Sequence, residues 1–585
     1  MAKSMNLNMA SGLQGMLKDG HQSFEGVDEA IVRNINAAKQ LADIVRTSLG
    51  PNGMNKLVVN HLDKTIVTSD GATIVRELEV MHPAAKMVVL ASQMQEKEAG
   101  DGTSLVVTFT GELLKLAAEL LRQGFHTAEV LAGYQAAHAK TVEILPTLVC
   151  HTVKDVRDPK QVAHAIKAVL GSKQYGFEDT LAPFVAEACL TVIPPAPKAP
   201  SLAVENVRVC KLLGGTVADS HVVRGVVVQR DTEGTVKRAS QAPVTVFGCG
   251  IEASSTEAKG TVLIRTPEEL MNYNKARSEG EEKHMEDVIK AIAATGTKVV
   301  VAGGTVSDMA MHFIESCGMM LIKVLSKWEL RRLCSAVHAT ALVRLGPATP
   351  DEMGYCNLVE VREVGLKKIT VFSQSEDDTK VATIVLRAST DSMLNDLERA
   401  VDDSVNCVRG ICRDPRFVPG GGATELELAR QIVAFGDTQT GLDQYAIKKY
   451  GEALEVIPRI LAETSGQDAT KVLAALHAAH AAGNTSMGVD VDAEGKGPSS
   501  HPAHTSAPAP APSSSTPAAA GVVGVGEHGI VDKSMEGVID LLSTKESALR
   551  LAVDAALTVL RVDQIIMSKP AGGPKPRGPQ GDTDP

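Results

Sequence analysis

Three glycine-rich turns, each beside a predicted helix end, carry the residues best suited to chemistry in this 585-residue chain. Gly100-Asp101-Gly102-Thr103-Ser104 lies between two predicted helices and opens the second. Glycines let the backbone approach a ligand closely, and the free N–H groups of a helix start attract phosphate. Asp101 offers the hard oxygens that Mg²⁺ prefers. A plain loop with Thr103 as helix cap is the competing reading, and this turn alone does not exclude it. The second turn, Leu49-Gly50-Pro51-Asn52-Gly53, reads singly as an ordinary helix stop. The third, Gly420-Gly421-Gly422, follows Pro419 and leads into a predicted helix over 423–435. Three such turns in one chain favour a phosphate cradle. No G-x-x-x-x-G-K-[ST] occurs, which argues against a P-loop.

The carboxylates have bland readings too. Asp70 sits in a turn before a helix, where capping is the usual role. Asp402 and Asp403 belong to a predicted helix starting near Ser389, and adjacent helical residues point about 100° apart. Only one of them can therefore face a given site; an exposed acidic face is the default. Gly303-Gly304, at a strand–helix junction, does not complete G-x-G-x-x-G and reads as a tight turn.

The elements that must position these residues change character along the chain. Val27, Ile31, Ile35, Ala38, Ala42, Val45 and Leu49 recur at helical spacing, and further helices are expected over 83–99 and 103–123. Short β-type runs occupy 56–60 and 64–68. The middle, roughly 195–400, holds Val/Ile-rich strands at 223–229, 244–248, 298–301, 320–324 and 383–386. Strand and helix alternate over 298–340, which implies a parallel α/β unit. The polar stretch 266–290 is read as a solvated helix that projects. Helical character returns at 445–463 and 545–567. Helical outer segments around an α/β middle suggest a nested order, in which the chain leaves one domain and re-enters it later.

Composition narrows the class. Hydrophobic residues make up 44% and charged residues 22%, ordinary for a globular protein, while aromatics are only 3% and Trp328 is the sole tryptophan. A net charge of −11 argues against a dedicated nucleic-acid binder. Nine cysteines without a Cys-x-x-Cys pair fit reduced thiols rather than a disulfide framework or zinc site. No apolar run of about 18 residues occurs and the first twenty residues do not resemble a secretion signal, so no membrane partner and a cytosolic location are expected.

Taken together, in order and spacing, several fragments resemble the nucleotide-site motifs of group II chaperonins: Leu49-Gly50-Pro51-x-Gly-Met-x-Lys56, Ser69-Asp70-Gly71-Ala72-Thr73, Gly100 to Ser104 and Gly420 to Glu425. Thr383 to Arg387, Glu398-Arg399-Ala-Val-Asp-Asp403, Ala453-x-x-x-Ile457-Pro458-Arg459 and Leu560-Arg561-Val562-Asp563 look like the same family. A further set, including Ser172 to Gly176 and Lys327 to Arg332, resembles one subunit type of the eukaryotic cytosolic ring. The resemblance implies a multidomain α+β fold: a mostly helical equatorial ATPase domain (1–150 and 410–585), an intermediate hinge (151–221 and 379–409) and an α/β apical domain that binds unfolded protein (222–378). A lid protrusion is expected at about 252–290.

It further implies ATP hydrolysis to ADP with Mg²⁺, seven paralogous partners in a double eight-membered ring, and unfolded clients such as actin and tubulin. By matched position, Gly50, Gly102, Thr103 and Ser104 would hold phosphates, with Leu49, Pro51 and Leu105 beside them. Asp101 would hold Mg²⁺, Gly422 would touch the nucleotide and Asp490 would lie near its ribose. Asp403 would orient or deprotonate the attacking water, Asp70 would assist, and Ser172 and Lys173 would sense the γ-phosphate. The chain departs from the family pattern at Ala388, Ser404 and Ser104, none of which removes a carboxylate. A nucleotide-binding subunit that hydrolyses little is the alternative within the family; a stand-alone kinase would need an acceptor pocket that no motif suggests.

Between 495 and 521 the sequence is mainly Pro, Ala and Ser, with no large apolar anchor. Such composition cannot offset its ordering entropy, so 491–527 is expected to be a disordered insertion and 569–585 a mobile tail. Deleting 495–521 should leave assembly and ATPase activity nearly unchanged, because loop-closure entropy changes by only about 0.6 kcal/mol per doubling of length. Failure of the deleted form to enter the ring would contradict this.

Overall fold

The computed structural model describes residues 22–24, 27–60, 63–195, 197–252, 267–365, 367–374, 380–492, 529–563 and 565–567. The expected insertion from 493 onward and the expected tail lie outside them, as does 253–266 of the expected protrusion.

Helices from both chain ends share one core. Val27–Arg46 packs on Thr103–Arg122, which also meets Leu542–Leu560 and Asp443–Leu454. The apolar stripe read from the sequence is the buried one: Ile31, Ile35, Ala38, Ala42 and Val45 are all inside. At the first crossing the backbones nearly touch. A Cβ on Gly111 would stand 2.2 Å from that of Ala42, so only glycine permits this approach. Scarce aromatics are concentrated here: Tyr450 meets Phe109 edge-on at 5.5 Å and Tyr134 at 6.0 Å.

A second core joins the helices Pro159–Gly171, Glu178–Val192 and Asp391–Ile411 to the strand Ala382–Ala388. Phe417, Ile539 and Leu541, next to the first core, belong to it as well. This middle body therefore meets the first, and its strand Ala382–Ala388 also belongs to the sheet that follows.

The remainder is built on a mixed sheet. Its strand order is Val207–Leu213, Ala382–Ala388, His221–Val228, Lys367–Ser373, Gly354–Val364, Arg238–Phe247, Val299–Ala302, Met320–Lys323, with Ala341–Leu342 beside Arg238–Phe247. The expected α/β unit is present: Val299–Ala302 runs parallel to Met320–Lys323 through the helix Asp308–Ser316. Gly303 and Gly304 form the tight turn there, because a Cβ on Gly304 would meet the Gly250 backbone nitrogen at 2.7 Å. The polar stretch is a helix, Pro267–Ala294, whose last turns bury Met285, Ile289 and Ile292. Among the described residues no helix is long and apolar enough to cross a membrane.

Two helical expectations need correction. The run 445–463 is two helices, Asp443–Leu454 and Val456–Thr464, because Pro458 lacks the N–H that would bond back one turn. The run 545–567 stops as helix at Leu560, and Ile565–Met567 pairs as an antiparallel strand with Gln22–Phe24. β-branched residues there suit a strand whose partner lies at the other chain end.

Phe109 fills the centre of the first core with no exposure. Phe109→Ala should cost about 3–5 kcal/mol. Amide-exchange protection of Thr103–Arg122 in the assembled protein should fall by at least about a hundredfold. A less than tenfold loss would show that the cavity collapses.

Candidate functional site

Two helices open on the same cavity. Thr103–Arg122 begins at Gly102 (φ 81°, ψ 14°) and Ala423–Thr438 at Gly422 (φ 81°, ψ 0°), and neither start has a side-chain cap. Both mouths lie at the positive end of a helix dipole, with the Gly102 N–H given to Asp101 Oδ1 and the Ala423 N–H to Gly420 O. A Cβ on Gly422 would also stand 2.8 Å from that of Pro458. The cavity measures about 660 Å³. Leu49, Gly50, Pro51, Asp101, Gly102, Leu105, Ser172 and Gly422 line it, together with Ile457, Leu461, Val489 and Val491. Thr103 is not the cap, since that place belongs to Gly102.

The remaining predicted residues stand behind or beside this wall. Thr103 Oγ1 donates to Asp70 Oδ1 at 3.3 Å, and Ser104 packs on Gly71, whose added Cβ would be 2.6 Å from Ser104 Oγ. Asp490 does not line the cavity. Its Oδ1 accepts from the Asp492 N–H at 3.0 Å, and its own N–H donates to Gly529 O at 2.9 Å. Val489, Val491 and Asp492 form that part of the wall.

Lys173 binds the carboxylates together. Its Nζ lies 3.1 Å from Asp70 Oδ1 and in close contact with Asp403 Oδ2. These side chains are nearly buried, at 13% exposure for Lys173, 7% for Asp70 and 10% for Asp403. Asp70 is a helix cap as expected, accepting from Thr73 N at 3.0 Å and Thr73 Oγ1 at 2.7 Å, yet its other oxygen serves the cluster. Asp402 is exposed, so only Asp403 of the adjacent pair turns inward. The three parts of the cluster come from different places. Asp70 sits at the edge of the helical core, while Lys173 and Asp403 belong to the middle body.

Burial sets the electrostatics. Burial alone would raise the Asp70 carboxyl, but the Lys173 charge and the Thr73 hydrogen bonds outweigh it and hold the group well below the usual range. Burial would likewise lower the Lys173 ammonium, and Asp403, Asp70 and Asp101 together hold it above its ordinary value. Asp403 is pushed well up by burial; Lys173 opposes this, and Asp101 and Asp70 add to it. Burial also raises Asp101, whose Oδ1 accepts the Gly102 N–H at 2.7 Å. Three carboxylates against one ammonium leave a deficit of positive charge. Among the described residues no group of three or more His, Cys, Asp or Glu could enclose a metal ion.

Several wall residues were not foreseen. Lys545, in an otherwise apolar helix face, is buried against Glu425 and lies 3.0 Å from Asp540. Gln95 donates to Asp101 O at 2.8 Å and Thr544 O at 3.2 Å, tying the loop of Asp101 to the C-terminal helix. Tyr175 hydrogen-bonds Asp492 across the rim. The signal for Lys545 was its charge within an apolar run; Gln95 left none.

A model of the TCP-1/cpn60 chaperonin family matches residues 41–570, and the chain belongs to that family. Within it, the chain is 48% identical to T-complex protein 1 subunit theta of Homo sapiens, over 99% of both chains. The theta subunit of Dictyostelium discoideum is 47% identical over 97% of this chain and 98% of its own length, and that of Arabidopsis thaliana 45% over 96% of each.

Lys173→Met tests the charge balance. A carboxyl whose pKa is raised in the folded state holds a proton that the unfolded chain has released, so stability falls as pH rises above about 4. Without Lys173, nothing opposes this for Asp403, and only the Gly102 N–H opposes it for Asp101. The variant's thermal midpoint should therefore lie nearer wild type at pH 5 than at pH 7.5; an equal deficit at both would contradict the cluster's role.

Proposed function

We propose that the chain is an ATP-hydrolysing subunit of a hetero-oligomeric, double-ring chaperonin of the cytosol. In this reading it works with seven paralogous subunits and folds clients such as actin and tubulin. The observation that carries it is the convergence on one cavity of two uncapped glycine helix mouths, with a buried carboxylate–lysine cluster standing directly behind Gly102 and Ser172 of its wall. Near-full-length similarity to theta subunits supports the assembly and the clients. The proposed domains are those of the nested order: equatorial from both ends, intermediate at 151–221 and 379–409, apical at 222–378.

The phosphates of ATP lie against the backbone at Gly102, the N–H groups at Thr103 to Leu105 and the turn at Gly422, with Gly50 closing the third side. The apolar wall of Leu49, Pro51, Ile457, Leu461, Val489 and Val491 takes the nucleoside. Asp101 is the residue to hold Mg²⁺, which when bound offsets phosphate charge. Ser172 and Lys173 read the terminal phosphate from the middle body, and ADP leaves after hydrolysis. Asp403 accepts the proton of the attacking water or orients it, and Asp70 steadies Lys173 beside it. Because Asp403 and Lys173 sit on the hinge, water is activated only when the hinge meets the nucleotide, which ties hydrolysis to closure. The Lys173–Asp403 contact favours a second reading, a subunit that binds nucleotide but keeps its base neutralised.

Rings whose other subunits are hydrolysis-dead separate the two. Asp101→Ala should weaken MgATP binding. Asp403→Ala should leave binding nearly intact and slow single-turnover hydrolysis by about 10²–10⁴-fold. Unchanged hydrolysis in Asp403→Ala would sink its role as the base and favour the second reading.

A further inference from the structure

Arg399, on the helix Asp391–Ile411, lines no part of the cavity, yet its side chain is turned inward and is only 23% exposed. Its Nη1 donates to Asp396 Oδ1 at 2.8 Å and to Thr68 Oγ1 at 3.1 Å. Thr68 ends the strand Thr65–Thr68 and is fully buried. The same hydroxyl oxygen accepts the backbone N–H of Asp70 at 3.1 Å. A hydroxyl has two lone pairs and one proton. Arg399 and the Asp70 N–H take the lone pairs, and the proton is left to face the Asp396 carboxylate. Burial pushes that carboxyl up, and the Arg399 charge and the Thr68 hydroxyl oppose the push. One hydroxyl is therefore a junction between two bodies. On one side is the backbone leading into Asp70; on the other is an ion pair of the middle body.

The spacing along the helix gives this junction its meaning. Asp396, Arg399 and Asp403 follow one another at three and four residues, so they share a helix face. Asp403 meets Lys173, which meets the Asp70 carboxylate. Arg399 meets Thr68, which meets the Asp70 backbone. The helix thus grips the Asp70 turn at two points one helical turn apart. A single contact would be a pivot, whereas two fix the angle as well as the distance at which Asp403 arrives. Thr68 is sealed from water, so solvent does not replace a donor lost there.

We propose that Arg399 is a positioning residue for hydrolysis: with Asp396 it holds the Thr68 hydroxyl and sets the register of its helix against the Asp70 turn. This rests on the reading of Asp403 as the group that activates water. Arg399 itself acts through Thr68 and Asp70, away from the nucleotide. Rate depends steeply on such placement, since a displacement of about 1 Å can cost about a hundredfold. Nucleotide affinity depends instead on the glycine mouths and the apolar wall.

The test uses assembled rings whose other subunits are hydrolysis-dead, and measures MgATP affinity and single-turnover hydrolysis separately. Arg399→Met should slow hydrolysis at least about tenfold and leave affinity within about twofold. Arg399→Lys, which keeps a donor, should recover part of the rate. Thr68→Val keeps the shape without the hydroxyl and should also slow hydrolysis; Thr68→Ser should restore it. The double variant of Arg399→Met and Thr68→Val should be no slower than Thr68→Val alone, because both remove one contact. If Arg399→Met rings do not assemble, Thr68→Val and Thr68→Ser carry the test, and equal rates in those two would contradict the proposal. An unchanged rate in Arg399→Met with nucleotide still bound, or losses that multiply in the double variant, overturns this inference alone. Unchanged hydrolysis in Asp403→Ala, or a wild type that does not hydrolyse ATP, overturns it together with the reading beneath it.

Discussion

Lys173 holds two buried carboxylates, Asp70 and Asp403, that would otherwise repel one another. Its ammonium reaches Asp70 at 3.1 Å and touches Asp403, and Asp101 acts on it from further off. Removing one partner of a buried charged group typically costs about 3–5 kcal/mol, so this contact is a strong mechanical joint. It is also the place where the middle body meets the loop that opens the cavity. Three acidic side chains share that one ammonium.

The rest of the architecture fixes what Lys173 works on. Gly102 and Gly422 start long helices without side-chain caps, and both mouths are backed by packed helices of a single core. Gln95 and the buried Glu425–Lys545 pair lock the loop of Asp101 and the turn of Gly422 to the C-terminal helix. The two glycine mouths are thus firmly backed, while Lys173 and Asp403 arrive on a body with its own core. A rigid wall approached by a separately packed body is a geometry in which chemistry can be gated by movement.

Local patterns carried much of this before any coordinates. The stripe from Ile31 to Val45 is core, the three glycine turns lie at one cavity, and the 100° rule correctly left one of Asp402 and Asp403 outside. What was illegible is long-range. Glu425 and Lys545 are 120 residues apart, and nothing local marks them as partners. Ile565–Met567 read as helix because its partner, Gln22–Phe24, is at the opposite chain end. Asp490 was placed by motif next to an insertion, and its carboxylate is spent on the Asp492 N–H instead of the wall. Lys173 itself has no periodic signature; only the family resemblance singled it out.

The central claim is that one nucleotide site is completed by two bodies. Amide exchange on the assembled ring, with and without ADP and aluminium fluoride as a hydrolysis transition-state mimic, tests it most directly. Protection should rise together in three segments, the helix start at 102–106, the hinge turn at 170–175 and the face of Asp391–Ile411 around 399–406. Protection confined to 102–106 would contradict the account, because the hinge would then take no part in holding the nucleotide.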